Sequence, residues 1–213
     1  HYLISRGVAD NQIYNIPNGI DVPKEYKKQH YIPNGKILFV GNFDQGAIKG
    51  LDLLVNAFIH LKRKECNCKL IIVGRGPIDK YIKLLDAANI DSQEYTFMGP
   101  SEDVFSYFSE SNVYVLPSRA EGFSNSLLEA LLWGMPCVST DISSARELIV
   151  DKYNGRIAEV DNYISLAECI QYCLNNKNIE EWPLNSYIRI KENFSLDVVA
   201  KKYSELYQKL ILN

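Results

Sequence analysis

The stretch KILFVG at residues 36–41 decides the fold class of this chain. It is a short, continuous apolar run that ends in glycine, the pattern of a strand buried on both faces. A second run of the same kind, KLIIVG, follows at residues 69–74. Between the two runs, apolar side chains recur at the spacing of one helix face: Leu51, Leu54, Val55, Phe58 and Ile59. A strand, a helix and a second buried strand predict a parallel pair joined by a right-handed crossover.

The same alternation continues to the end of the chain. It predicts further strands over 95–98, 113–116, 136–139 and 155–158, and helices over 77–88, 102–109, 124–133 and 144–150. Pro77 fits the first position of its helix. Three more helices are predicted over 161–175, 178–192 and 195–211, and an exposed connection over 22–34. The pattern predicts an α/β protein with a single Rossmann-like, doubly wound parallel sheet and extra C-terminal helices.

The composition excludes several other classes of protein. Of 213 residues, 46% are hydrophobic and 23% are charged, as in globular domains and unlike disordered, collagenous or long coiled-coil chains. The net charge of −3 argues against nucleic acid as a partner, because nucleic-acid binding normally requires a basic face. No apolar stretch reaches the ~18–20 residues of a membrane span. The first residue is His1 and no signal peptide follows, so we expect a piece of a longer protein.

The cysteines and histidines do not predict a metal site. Cys66 and Cys68 are separated by one residue, whereas Cys169 and Cys173 lie one helical turn apart, and neither spacing is a common zinc pattern. The histidines fall on three distant parts of the chain: His1, His30 and His60. We therefore expect reduced cysteines, no metal and no cofactor.

The turn after the second strand admits two interpretations. Ligands of doubly wound sheets bind beyond the carboxyl ends of the strands, and Gly74-Arg75-Gly76 lies at such an end. The dinucleotide-binding fingerprint requires a third glycine where this chain has Asp79. The turn is either a tight connection into a helix or a place where backbone N–H groups and Arg75 meet a ligand.

The loop over 41–50 follows the first strand and opens the first long helix. Free N–H groups at a helix start favour an anion. Lys49, just inside the predicted helix start, lies at the positive end of the helix dipole, which is unfavourable unless an anion bridges it. The alternative is a lysine that points into solvent at small cost, and both interpretations remain open at this point.

The segment LPSRAEGFSNSLLEA at residues 116–130 is the most informative. Glu121 lies in a loop and Glu129 inside the next helix, with a helix N-terminus between them. N–H donors for an anion, flanked by two carboxylates that accept from hydroxyl groups, fit a polyol joined to a phosphate. The alternative is a capping box of Ser126 and Glu129, which explains Glu129 but not Glu121.

These segments together resemble a known family. The chain is similar to the C-terminal domain of the retaining glycosyltransferases of family 4, the group 1 glycosyltransferases, which have the GT-B fold. The resemblance extends over almost the whole chain, and the two glutamates separated by seven residues are its most specific signal. The stretches that carry it are 14–21, 39–50, 71–77, 117–136 and the tail 194–212.

The resemblance implies a role for each matching position. Lys49 and Glu121 would be catalytic: Lys49 would neutralise the diphosphate of the donor, and Glu121 would hold hydroxyls of the donor sugar. Glu129 would accept hydrogen bonds from the ribose. The full set of implied donor-binding residues is Gly41, Asn42, Lys49, Gly50, Gly74, Arg75, Met98, Gly99, Glu121, Gly122, Phe123, Ser124, Asn125, Ser126 and Glu129.

The implied chemistry is the departure of a nucleoside diphosphate through an oxocarbenium-like state, with retention at the anomeric carbon. Backbone amides over 124–126 would cradle the diphosphate, and the turn over 74–77 with Met98 and Gly99 would frame the base. Family members generally need no bound metal. The variants Ser118-Arg119 and Asn125 resemble bacterial enzymes that use uridine-diphosphate sugars, so we expect a UDP-sugar as the donor substrate.

The resemblance also implies a domain organisation and a pathway. Residues 1–20 would connect from an N-terminal acceptor domain, 21–193 would form the nucleotide-sugar-binding domain, and 194–213 the closing helix. The expected function is sugar transfer to an acceptor glycan or lipid-linked sugar in the biosynthesis of capsule or lipopolysaccharide. We expect a cytoplasmic protein, with peripheral association of the full-length enzyme at the inner face of the membrane. The isolated chain is expected to bind a nucleotide sugar weakly and not to turn over.

One position departs from the family pattern. The family usually has arginine directly after the first-strand glycine, and this chain has Asn42. Neutralisation of the diphosphate would then rest more on Lys49, helped by Arg75 or Arg119. The same departure leaves open an alternative function, a non-catalytic sugar-nucleotide-binding module of a polysaccharide-assembly complex.

Overall fold

The continuous apolar runs form the strands of one parallel sheet. The computed structural model describes residues 2–26, 34–44, 46–175 and 179–212. Within them the sheet has six strands in the order β3-β2-β1-β4-β5-β6, and every pairing is parallel. The strands are β1 Lys36–Val40, β2 Lys69–Val73, β3 Tyr95–Gly99, β4 Val113–Leu116, β5 Cys137–Thr140 and β6 Gly155–Ala158. The predicted Rossmann-like sheet is confirmed.

Helices cover both faces of this sheet. The described helices are α1 Tyr2–Ser5, α2 Leu51–Arg63, α3 Asp79–Ala87, α4 Phe105–Glu110, α5 Asn125–Trp133, α6 Ser143–Leu148, α7 Tyr163–Asn175, α8 Trp182–Phe194 and α9 Leu196–Ile211. Ile37 and Phe39 of β1 pack with α2 and α7 in one apolar core, whereas Leu38 faces α5 and α8 in the other. Because both faces are buried, β1 has no polar alternation, which is why its sequence is continuously apolar.

The strand order reverses between β1 and β4. The chain runs from β1 outward to β2 and β3, and then returns to the other side of β1 to form β4. The loops that follow β1 and β4 therefore diverge from a crevice, where doubly wound sheets bind their ligands. Gly50, at the end of the first loop, has a φ of 65°, and a Cβ built there would lie 1.8 Å from the carbonyl oxygen of Pro117. Only glycine permits the two loops to approach this closely.

Several helix starts differ from the predictions: α8, for example, begins at Trp182 and not at residue 178. Two of the differences have a local reason. The prediction that Pro77 begins a helix is wrong: α3 begins at Asp79. The preceding Gly76 packs so tightly against Phe43 that an added Cβ would lie 2.2 Å from its ring, so this stretch is a turn. The helix predicted over 102–109 begins only at Phe105, because the Asp103 side chain accepts a hydrogen bond from the N–H of Ser106 at 3.2 Å.

The first residues of the chain pack against its last helices. The N–H of Ile20 donates to the carbonyl of Phe194 at 2.9 Å, and the N–H of Leu196 donates back to the carbonyl of Ile20 at 3.0 Å. The Tyr187 hydroxyl donates to the carbonyl of Pro23 at 2.8 Å. Most of the predicted exposed connection, residues 27–33, lies outside the described residues. Among the helices described, none has the length and apolar character needed to cross a bilayer.

Substitution of Gly50 tests the contact between the two loops. We expect Gly50→Ala to lower the free energy of unfolding by ~3 kcal/mol or more, because a left-handed backbone and a steric clash add together. The matched control is Gly99→Ala, at a similar φ of 70° with nothing within 4 Å of the added Cβ. The control should cost only the ~1–2 kcal/mol of the left-handed conformation. Urea unfolding measures both values, and equal losses would contradict the role of the Pro117 contact.

Candidate functional site

The centre of the candidate site is an ion pair that joins the two loops of the crevice. Lys49 comes from the loop after β1 and Glu121 from the loop after β4, and their Nζ and Oε1 atoms lie 2.5 Å apart. The Ser118 hydroxyl donates to the same Oε1 at 3.0 Å. The Glu121 side chain is only 12% exposed, whereas that of Lys49 is 31% exposed. A partly buried carboxylate is thus held by two donors at the point where the strand order reverses.

The position of Lys49 differs from the prediction. It does not lie inside a helix start but ends a 3-10 turn over Gly46–Lys49, and α2 begins two residues later with Gly50 as its N-cap. The anion that the sequence argument required near Lys49 is supplied by Glu121. The interpretation of Lys49 as a solvent-pointing lysine is therefore wrong.

Arg119 is enclosed by carboxylates on the same side of the sheet. It forms a two-pronged ion pair with Asp52 in the first turn of α2, with both N–O distances at 2.8 Å. Its Nε atom lies 2.6 Å from the Asp161 carboxylate. The hydrogen bonds from Arg119 lower the pKa of Asp52, and those to Asp52 raise the pKa of Arg119. The predicted help of Arg119 in neutralising a diphosphate is not favoured, because its donors already have partners.

The N-terminus of α5 is capped by Ser124, not by Ser126. The Ser124 hydroxyl accepts from the N–H of Leu127 at 3.3 Å, and the Ser126 hydroxyl lies 2.7 Å from the hydroxyl of buried Tyr114. The capping box of Ser126 and Glu129 is therefore wrong. Both serine side chains are engaged within the protein, so a ligand at this helix start would meet the backbone N–H groups of Asn125 and Ser126.

Glu129 lines a cleft of about 340 Å³ beside α5. The cleft is bordered by Asn18 on the N-terminal segment, by Asn125 and by Tyr203 on α9. Among the described residues Glu129 has no hydrogen-bond or ion-pair partner, and burial raises the pKa of its carboxyl group. The Asn18 amide donates to the side-chain oxygen of Asn125 at 2.9 Å across the mouth of this cleft. An unpartnered acceptor beside a cavity is suited to ligand hydroxyl groups.

The glycine turn after β2 has a demonstrable structural role. A Cβ at Gly74 would lie 2.0 Å from the carbonyl oxygen of Gly41, so the loops after β1 and β2 pack backbone against backbone. The Asn42 side chain accepts from the N–H of Arg75 at 3.0 Å, which fastens the same two loops. Arg75 itself is exposed and remains accessible at this edge of the sheet.

Not all predicted residues are brought together. Lys49, Gly50 and Glu121 meet at the crevice, and the helix start over 124–126 follows directly after it. Met98 and Gly99 end β3, three strand positions from β4 and thus about 14 Å away. Met98 is 47% exposed, and the space around Gly99 is open.

Other predicted residues contribute in a more limited way. The Phe123 ring packs on Phe194 at 6.0 Å between centroids, so only the Phe123 backbone faces the loop. Gly122 is exposed, with open space around its Cα. Asn18, Asp52 and Tyr114 also border the site and were not predicted from the sequence. Asp52 could have been found, because an acid in the first helical turn after Lys49-Gly50 is a candidate partner for a nearby arginine.

The cysteines are free and mostly buried. Burial raises the pKa of the Cys68 thiol to about 12, with its neighbour Cys66 adding to the shift. Groups of three or more histidine, cysteine or acidic side chains that could hold a metal ion are not found among the described residues.

The topology and the paired side chains define a class of protein. It is a Rossmann-like α/β domain that carries its polar groups at the switch point of the sheet. The family model described as glycosyl transferases group 1 matches residues 34–176, and the chain belongs to this family. The resemblance to the C-terminal domain of these enzymes is therefore confirmed.

Curated relatives are glycosyltransferases, and some of them are named for bacterial surface polysaccharides. The capsular polysaccharide biosynthesis glycosyltransferase CapM of Staphylococcus aureus is 25% identical over 231 residues, which cover 97% of this chain and 58% of CapM. A Campylobacter jejuni enzyme is 32% identical over 147 residues, or 68% of this chain and 39% of that protein. Its name is N-acetylgalactosamine-N,N'-diacetylbacillosaminyl-diphospho-undecaprenol 4-alpha-N-acetylgalactosaminyltransferase. The chain thus spans about half the length of the curated relatives that it matches.

Solved structures share the fold at lower identity. S. aureus TarM, solved with Fondaparinux, alpha-GlcNAc-glycerol and UDP, superposes with a TM-score of 0.85 at 22% identity, covering 97% of this chain and 41% of TarM. Anabaena HepE in complex with UDP gives a TM-score of 0.73 at 19% identity, covering 83% of this chain and 49% of HepE. These likenesses confirm the GT-B type of Rossmann-like fold.

Substitution of Glu129 tests whether its ionised carboxylate destabilises the folded state. The raised pKa means that the folded state disfavours the ionised form, so wild type is destabilised at pH 7 and regains stability as pH falls through that pKa. We expect Glu129→Gln to raise the melting temperature at pH 7, with the advantage fading toward pH 4.5. Thermal unfolding between pH 4 and pH 8 measures this. Exposed Glu168→Gln is the control, and a lower melting temperature for Glu129→Gln at pH 7 would refute the argument.

Proposed function

We propose that this chain is the donor-binding half of a retaining glycosyltransferase that uses a nucleoside diphosphate sugar. The observation that carries the proposal is the Lys49–Glu121 pair across the crevice, next to the free N–H groups of α5. A cation and a helix N-terminus attract a diphosphate, whereas a carboxylate accepts from sugar hydroxyls. Phosphate and polyol groups thus have neighbouring partners at the site.

The nucleoside would lie toward the other predicted residues. Glu129 has an unpartnered carboxylate beside a cleft and would accept from the ribose hydroxyls. The open backbone at Gly99 and the exposed side chains of Met98 and Arg75 would border the base. UDP in the solved structures of TarM and HepE supports a uridine nucleotide as the donor.

The chemistry is transfer of a glycosyl group with retention. The bond between the anomeric carbon and the diphosphate oxygen breaks, and its electron pair remains on the diphosphate. The acceptor hydroxyl oxygen forms the new bond to that carbon, and its proton passes to the departing diphosphate. Lys49 and the α5 N–H groups stabilise the negative charge that grows on the leaving group, which is commonly the largest catalytic contribution. Positive charge from the protein itself is the basis for expecting no metal cofactor.

The acceptor would be bound by residues outside this chain. Relatives of this chain have roughly twice its length, and their names refer to capsule, O-antigen and diphospho-undecaprenol-linked sugars. We therefore propose an acceptor glycan or lipid-linked sugar of a bacterial surface polysaccharide. A lipid-linked acceptor in turn supports action in the cytoplasm at the inner face of the membrane.

Nucleotide titration tests the donor site. We expect UDP to bind this chain more tightly than GDP or ADP, and Lys49→Ala and Glu129→Ala each to weaken UDP binding by roughly 10- to 100-fold, because each removes a hydrogen bond to a charged group. Isothermal titration calorimetry measures the affinities. Lys64→Ala is the matched control, since it removes the same charge from the far end of α2. Unchanged UDP affinity in both site variants would refute the assignment.

A transfer assay separates catalysis from simple binding. We expect this chain alone to release no UDP from a UDP-sugar in the presence of acceptor, and the protein with its acceptor-binding part to do so at a rate that Lys49→Ala reduces. The reason is that, under the proposed function, the acceptor would be bound by residues outside these 213. Transfer by the chain alone would contradict the proposal that the donor and the acceptor are bound by different parts of the protein. Binding without transfer by the complete protein would favour the non-catalytic module, which Asn42 in place of arginine left open.

A further inference from the structure

We propose that Arg119 is a positioning residue that holds Lys49 against the crevice, so that the diphosphate is bound by a lysine whose backbone is fixed. This inference rests on the proposed function, because it concerns how the diphosphate-binding lysine is placed. It assigns Arg119 no contact with the ligand. Its basis is the set of bonds that Arg119 makes to the turn over Gly46–Lys49 and to the start of α2.

Arg119 holds the turn through both its main chain and its side chain. Its backbone N–H donates to the carbonyl of Ile48 at 2.7 Å. One terminal nitrogen donates to the carbonyl of Ala47 at 2.5 Å and also to Asp52 at 2.8 Å. The two residues that precede Lys49 are thereby joined to the loop after β4, which carries Glu121. The same arginine fastens the turn to the first turn of the helix that follows it.

The turn gains little support from apolar burial. Ala47 is exposed and Ile48 is 51% exposed, so few apolar contacts keep this segment in place. A short, exposed 3-10 turn opens easily unless groups outside it hold it. Arg119 provides such bonds, to the carbonyls of Ala47 and Ile48.

The geometry requires arginine specifically. The guanidinium presents a rigid fork of donors, and here they reach the Asp52 carboxylate, the Ala47 carbonyl and the Asp161 carboxylate at once. A lysine has the same charge but a single ammonium group, which cannot meet three acceptors in these directions. The Arg119→Lys variant keeps the positive charge but loses these contacts. It therefore distinguishes positioning of the turn from a general attraction between positive charge and the ligand.

The first measurement needs no ligand. Amide hydrogen exchange of the whole chain should show roughly tenfold faster exchange over residues 46–50 in Arg119→Lys than in wild type, with the core strands β1 and β4 unchanged. Asp52→Asn should also speed exchange over residues 46–50, because it weakens the two-pronged ion pair between Asp52 and Arg119. Asp86→Asn is the control, since it removes the same charge from an exposed position on α3, away from Arg119 and the turn. Unchanged exchange over 46–50 in both Arg119→Lys and Asp52→Asn would overturn the proposal.

The second measurement compares UDP with uridine. Arg119→Lys should weaken the binding of UDP by roughly 3- to 10-fold, whereas the affinity for uridine should stay within about twofold of wild type. The reason is that only UDP contains the diphosphate that Lys49 would contact. In the Lys49→Ala background the same substitution should have almost no further effect. Wild-type affinity for UDP in Arg119→Lys, or equal losses for UDP and uridine, would overturn the positioning role. If wild type binds UDP no better than uridine, the proposed function fails, and the exchange data still decide whether Arg119 holds the turn.

Discussion

The candidate site depends on the close contact between the loops that follow β1 and β4. A parallel sheet places the ends of these strands about 4.8 Å apart, but it does not by itself join the loops beyond them. In this chain Gly50 lies directly against the Pro117 carbonyl, and the N–H of Arg119 reaches the Ile48 carbonyl at 2.7 Å. The ion pair of Lys49 and Glu121 forms on top of this backbone contact. The backbone contact therefore brings the two loops together, and the ion pair depends on that contact.

The sequence predicted the sheet well because burial on both faces leaves a strong and local signal. The bounds of β1, β2, β4 and β6 agree with the prediction, since each apolar run stops at glycine, proline or a polar residue. Helix starts were harder to predict because competing caps are close in sequence. Ser124 and Ser126 are both plausible caps. The Ser126 hydroxyl bonds to the buried hydroxyl of Tyr114, so Ser124 caps the helix. That contact between β4 and α5 depends on tertiary packing and has no signal within a short sequence window.

The same limit applies to the charges of the site. Sequence motifs identified Lys49, Glu121 and Glu129 as functional candidates, but they did not indicate that two of them pair with each other. Lys49 and Glu121 are 72 positions apart, and Arg119 and Asp52 are 67 positions apart. Such pairs form only when the crossovers return the chain to neighbouring strands. In the same way, the sequence did not indicate that Arg119 bonds to Asp52, Asp161 and the carbonyl of Ala47.

Under the proposed function, the pairing also gives a nearly neutral protein a way to bind a diphosphate. Without ligand, the cations Lys49 and Arg119 are already balanced by Glu121, Asp52 and Asp161. Under the proposed function, a diphosphate draws Lys49 from Glu121, and the released carboxylate can accept from the hydroxyls of the attached sugar. Ser118 keeps Glu121 in place during this exchange. Binding of the diphosphate and recognition of the sugar are then coupled through one carboxylate, so a nucleoside without phosphate leaves the pair intact.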